Sequence, residues 1–252
     1  MGCAIAAIVC GGLATLVIED PQLDAVRDEV ADDDDDDDDG SSDDGVGDTV
    51  TGAIDMIGWI VGRGRLPAFA SHPYAAGRRA GLTAGSRSRG VAARIALDGA
   101  WQYHGLWRGR LAMELDSTTR IGAAVHLYAW GNPGSADHMV LGSARLHAVV
   151  GNWKHALVRT GPALDVMRSW TPTKWVVALG ADWGISADVF PIRPLVLSFD
   201  AQAGVMGRSV YLGARGTIGV TLRRVEIFGG YEHKQIGRAG IGGPVVGMRV
   251  WF

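Results

Sequence analysis

Residues 91–117 read VAARIALDGAWQYHGLWRGRLAMELDS, and their alternation decides the fold class. Val91, Ala93, Ile95, Leu97, Gly99, Trp101 and Tyr103 occupy every second position, with Arg94, Asp98, Gln102 and His104 between them. Successive side chains of an extended chain point to opposite faces, so a period of two predicts a strand with one apolar and one polar face. The parity continues through Trp107, Leu111, Met113 and Leu115, set against Arg108, Arg110 and Glu114. Two readings follow: a tight turn near His104–Leu106 between two strands, or one long bulged strand.

The pattern recurs along the rest of the chain. Ile121, Ala123, Val125 and Leu127 oppose Arg120, His126 and Tyr128, and Gly131-Asn132-Pro133-Gly134 reads as a turn. Val140, Gly142, Ala144, Leu146 and Ala148 oppose Ser143, Arg145 and His147, and a weaker pattern covers 155–167. Trp175, Trp183 and Ile185 oppose Asp182 and Ser186; Leu195, Phe199 and Val205 oppose Ser198, Asp200 and Gln202. Val210, Ile218 and Val220 oppose Tyr211, Arg215 and Thr217, and Val225, Ile227 and Tyr231 oppose Glu226 and Glu232. The sum is an all-β fold, an antiparallel up-and-down transmembrane β-barrel of eight to ten strands over residues 91–252. Several strands reach 10–14 residues, long for a soluble domain and close to what a tilted strand needs to cross a bilayer.

Which face meets solvent is a separate question, because a soluble barrel or sandwich gives the same alternation. A soluble barrel hides its apolar face and shows its charges. In a membrane barrel the apolar face meets lipid, and the charges line a narrow interior. Nine Trp residues, a side chain suited to membrane interfaces, favour the second arrangement, with Trp101, Trp175 and Trp183 on the lipid side. The interior then holds a network of Arg94, Asp98, Arg110, Glu114, Arg145, Asp182, Asp200, Arg215, Glu226, Glu232 and Arg249; Arg108 and Arg120 also read as partners of interior carboxylates.

Upstream of the strands the composition changes. Residues 1–50 carry 16 acidic groups against one basic group, Arg27, whereas 51–252 carry 11 acidic and 23 basic groups. Residues 1–18 hold an apolar run without a basic start and read as a signal peptide or an apolar N-terminal segment. Residues 19–50, with eight consecutive Asp at 32–39, read as a disordered acidic linker, and 51–90 as a linker or lid against the barrel. Cys3 and Cys10 are the whole cysteine complement, so the body has no disulfide framework or cysteine metal cluster; Ala7-Ile8-Val9 before Cys10 is a poor lipidation signal. The basic body suits anionic lipid or its own acidic tail. Nucleic acid is not expected, since many arginines lie within strand patterns rather than in a surface cluster.

The ending GPVVGMRVWF places Val246, Met248, Val250 and Phe252 on one face, opposite Arg249 and Trp251. It resembles the C-terminal strand of Gram-negative outer-membrane barrel proteins. That resemblance implies recognition of these four residues by the barrel-assembly machinery and residence in the outer membrane, with its lipid as a partner. The likeness covers about the last ten residues; over 91–252 the wider likeness is to small barrels with sequential hairpins.

No nucleotide, zinc-protease or nucleophile-elbow motif stands in a fitting context, and no cofactor or metal site is predicted. His104, His126 and His147, with Asp98, Glu114, Ser143 or Asp182, are the candidates for a hydrolase group. The leading expectation is a non-enzymatic envelope protein, structural or binding a small or lipidic ligand. The alternatives are a membrane-embedded lipid hydrolase or acyltransferase, a soluble lipocalin-like carrier, and a narrow selective channel.

Overall fold

The computed structural model describes residues 64–75, 82, 89–102, 106–131, 138–170 and 175–252, plus a short backbone pairing of Ile8–Val9 with Gly12–Leu13. Apart from that pairing, residues 1–63, with Cys10 and the acidic tract, lie outside the described residues, as does His104. Ten strands form the body: β1 (Val91–Trp101), β2 (Trp107–Ser117), β3 (Ile121–Gly131), β4 (His138–Trp153), β5 (Ala156–Trp170), β6 (Trp175–Val189), β7 (Leu195–Met206), β8 (Ser209–Leu222), β9 (Val225–Ile236) and β10 (Ala239–Trp251). Each pairs antiparallel with its neighbours in sequence, and β10 returns to β1 to close the barrel. Trp101 pairs with Trp107, so the opening stretch is two strands and a connection rather than one long strand.

The polarity of the wall follows the alternation. Leu97, Leu164, Leu179, Ile218 and Val246 stand on the outside with 58–70% of their surface exposed. Asp98, Arg108, Arg145, Arg159, Asp188 and Glu232 point inward and are buried. All nine described carboxylates are enclosed by the wall. Outside the lumen, the described ionised side chains are therefore basic, apart from the terminal carboxylate.

A β-bulge keeps this polarity at one edge. In β4 the odd positions 139–147 point inward, which by strict alternation would turn Trp153 into the lumen. The ladder to β5 shifts between Val149 and Gly151, and Trp153 emerges on the outside with 62% exposure. One extra residue reverses the parity of everything beyond it.

Apolar layers stand across both ends of the lumen. At the far rim, beside the β1–β2 and β3–β4 connections, Leu106, Trp130, Met139, Leu141, Met167 and Met206 belong to one buried cluster. At the opposite rim the layer includes the segment before the barrel: Leu66, Phe69, Tyr74 and Leu82 pack with Val149, Leu157, Phe190 and Trp251. This plug is tied down by its backbone. Leu66 donates to the Thr118 carbonyl at 2.7 Å, Phe69 and Arg89 exchange hydrogen bonds, and Arg120 donates to the Gly64 carbonyl at 2.8 Å. The Tyr74 hydroxyl donates to the Leu195 carbonyl, and burial pushes its pKa up to about 12, so it stays a donor.

The β10–β1 seam is the shortest ladder of the ten. It runs seven pairs, from Val245↔Ala100 to Trp251↔Arg94. Pro244, which has no N–H to offer, stands where it stops. Beyond that point an apolar cleft of about 550 Å³ opens on the outer wall between Trp101, Trp107, Pro244 and Val246.

Candidate functional site

The described carboxylates and the arginines that pair with them gather between the two apolar layers, so the lumen is the candidate site. Its chemistry is set by which strands face each other across it. β1 and β6 are diametrically opposed in a ring of ten, and Arg94 spans them, donating to Glu114 on neighbouring β2 and to Asp188 on β6 at 2.6 Å. Arg159 of β5 joins the same group. It lies 2.9 Å from Glu114, 2.7 Å from Asp116 and 2.6 Å from Asp188. Asp116 also meets His147 Nε2 at 2.9 Å, and Ser198 donates to Asp188 at 2.7 Å.

A second group is a closed square. Arg108 and Arg215 each bind both Asp98 and Glu232, with Arg215 gripping Asp98 through both terminal nitrogens at 3.2 and 2.9 Å. Arg110 adds a longer contact to Asp98 at 3.3 Å. The planar guanidinium fork suits such two-pronged pairing, which a lysine would not reproduce. Arg145 forms the third group, with Asp182 at 3.0 Å, Asp200 at 3.2 Å and Gln202 at 3.0 Å. It lies directly over Gly184: a Cβ there would fall 2.2 Å from its guanidinium carbon. Arg249 completes the set with Glu226, which also accepts from the Trp251 indole at 3.0 Å.

Arg120, read from sequence as a partner of interior carboxylates, serves differently. It sits in the β2–β3 turn with φ of 70° and donates to the backbone carbonyls of Gly64 and Val149, fastening the plug. Asp188, Arg159, Asp165 and Lys234 join the lumen without having been singled out in the sequence. Asp188 shares parity with Asp182, and Lys234 with Glu232, which was the available signal. Arg159 and Asp165 sit in the stretch where Pro162, Thr160 and Arg168 flatten the outer face and Leu157 and Met167 flatten the inner one.

Among the described residues Asp165 differs from the other lumen carboxylates. It is 1% exposed and no N–H or O–H donor reaches either oxygen; its close polar neighbour is the Asp182 carboxyl, with which a hydrogen bond needs a shared proton. Ser143, directly across the β4–β5 ladder, has an unpartnered hydroxyl as well. A buried carboxylate facing a second one without a donor between them is costly, so Asp165→Asn, whose amide can donate to Asp182, is expected to stabilise the barrel by about 1–3 kcal/mol in urea unfolding at pH 8. A loss of stability would instead mean that the carboxyl is held in place, by a proton shared with Asp182 or by a cation.

The histidines and the metal-like cluster resolve by geometry. His126 is buried edge-on to Tyr128, with ring centres 6.3 Å apart. His126, Ser143 and Asp165 form a row across β3, β4 and β5, with the serine in the middle. A triad needs the histidine between nucleophile and carboxylate, so this order does not build one. Glu114, Asp116 and His147 bring potential ligand atoms within 4.8 Å of one another. Arg159 already occupies both acids there, so a cation would have to displace its guanidinium.

An opening of about 50 Å³ lies in the charged region, lined by Arg94, Arg110, Glu114, His126, Arg145 and Asp200 among others. That volume holds a few waters and no organic ligand, for which about 300 Å³ is the lower end. The residues of the barrel-assembly resemblance lie on the outer wall of β10 and just past it. Val246, Met248 and Phe252 are exposed there and Val250 is half-buried.

With this geometry in view, known proteins offer limited company. No family model matches the chain, and no curated relative does. Among solved structures it is similar to the translocator domain of the autotransporter NalP from Neisseria meningitidis, at 11% identity and a TM-score of 0.36, covering 81% of this chain and 98% of that one. It is also similar to CdiB from Acinetobacter baumannii, at 9% identity and a TM-score of 0.30, over 59% of this chain. The match spans 39% of the CdiB chain.

Proposed function

We propose that the chain is a non-enzymatic barrel of a Gram-negative-type outer membrane, acting structurally or holding a lipidic ligand on its outer wall. The observation that carries this reading is the polarity of the wall: exposed Leu, Val, Ile and Trp outside, a filled and ion-paired lumen inside. A soluble carrier needs the reverse arrangement. Apolar layers across both ends of the lumen, with arginine–carboxylate groups between them, weigh against a channel.

Exposed Trp101, Trp107 and Trp175 lie at the far rim and exposed Trp153 at the plug rim, as expected of side chains anchored in the two interfaces of a bilayer. The small lumen leaves the apolar cleft at the β10–β1 seam as the place for an acyl chain. Cell fractionation followed by electrophoresis in cold SDS tests the placement. A detergent-extracted outer-membrane band that changes mobility on boiling is expected, and a soluble protein without that shift would overturn the reading.

A further inference from the structure

The plug rim carries an unbalanced charge. Every connection at this end was built by the antiparallel meander from the turns after β2, β4, β6 and β8 and from the segment before β1. Those pieces place Arg65, Arg89, Lys154, Arg193, Arg223 and Arg224 in exposed positions, with Arg120 half-buried among them. The described residues of these pieces include no Asp or Glu, since the nearest carboxylates, Asp116, Asp188 and Glu226, are buried inside the wall and already paired. Two of them, Arg224 and Arg193, reach the same plug residue: His72 has its pKa lowered by burial first, then by their fields.

We infer that this rim is the docking surface for the chain's own acidic tract, Asp32–Asp39. Three observations carry the assignment. The first is complementarity: eight consecutive carboxylates meet six exposed cations, with no described acidic side chain competing at the rim. The second is position. Gly64, the first residue of the plug, is held at this rim by Arg120, so the preceding chain arrives at this end of the barrel. The third is reach. The 24 residues between Asp39 and Gly64 span up to about 80 Å. Ten tilted strands about 4.8 Å apart enclose a ring roughly 20 Å across, so the tract can reach every cation of the rim.

The far rim is the internal control. Its exposed cations include Arg208 and Arg238, on the opposite end of the barrel from the plug. The tract thus has a nearer and denser partner at the plug rim than at the far one.

Lysine placement makes the inference testable by zero-length carbodiimide cross-linking of the full chain in zwitterionic micelles. The chain has three lysines: Lys154 at the plug rim, Lys234 buried in the lumen and Lys174, which in sequence directly precedes Trp175, the far-end start of β6. The expected result is an amide joining the 32–39 peptide to Lys154 within a monomer, at several-fold higher yield than to Lys174. That yield falls several-fold in 0.5 M salt and in the Arg223→Glu/Arg224→Glu variant, whose unchanged mobility shift on boiling shows that it is folded.

Equal yields at Lys154 and Lys174 would overturn the assignment, as would a product that is chiefly a covalent dimer, which would make a second copy the occupant. A third overturning result is loss of the Lys154 product when phosphatidylglycerol replaces the zwitterionic detergent. That would identify anionic lipid as the rim's partner.

Discussion

Arg159→Leu is expected to lower the unfolding free energy of the barrel by about 3–5 kcal/mol, the largest effect of any single lumen substitution. Arg159 is 1% exposed and contacts three carboxylates at once, Glu114, Asp116 and Asp188. Removing it does not leave them equally stranded. Glu114 and Asp188 keep Arg94, and Asp188 keeps the Ser198 hydroxyl, while Asp116 retains His147 alone. The loss is therefore concentrated at Asp116, and Arg159→Leu with Asp116→Asn should recover part of it.

Urea unfolding in detergent, followed by tryptophan fluorescence, reads both changes. Arg168→Leu is the contrast. That guanidinium lies over the Trp170 ring at 4.5 Å on the outer wall, and its loss should cost at most about 1 kcal/mol. An Arg159→Leu midpoint as close to wild type as that of Arg168→Leu would mean the three acids are not held as charges by this arginine.

The contrast between these two arginines also shows what the sequence made legible. Strand-by-strand parity separated wall faces wherever one face was consistently large and apolar, as in β1, β7 and β8. It could not see the ends of the lumen. Met139, Leu141 and Met206 at one end and Val149, Leu157 and Val196 at the other occupy inward positions, yet they are apolar because the lumen closes there. Parity assigns a residue to a face and says nothing of its height along the barrel. The same limit hid Arg159: its strand alternates weakly because Leu157, Ala163 and Met167 share its inward face. The bulge at Val149–Gly151 is a different case, since it changes parity through backbone geometry whose one local signal is Gly151 inside the strand pattern. Pairing across the lumen, such as Arg94 with Asp188, joins residues 94 positions apart and depends on the barrel closing with ten strands rather than eight.

The outer wall gives the second large effect, and it separates a membrane barrel from any soluble alternative. Leu164 stands near the middle of β5, 70% exposed, between Ala144 and Ala181 on the neighbouring strands. In water, replacing so exposed a leucine by arginine is nearly neutral, within about 0.5 kcal/mol. At the midplane of a bilayer the same change costs about 2–4 kcal/mol, because the guanidinium must be desolvated or drag water and headgroups toward it. Depth makes the test internal. Leu222, 66% exposed at the end of β8, lies at the plug rim, where an arginine can reach the interface and should cost no more than about 1 kcal/mol. Unfolding of Leu164→Arg and Leu222→Arg in phospholipid vesicles should therefore differ by at least about 1 kcal/mol, with the mid-strand variant the weaker. Two variants of equal stability in vesicles would show that the apolar wall does not face hydrocarbon, and the exposed Leu, Val and Ile of ten strands would then have to be covered by protein instead.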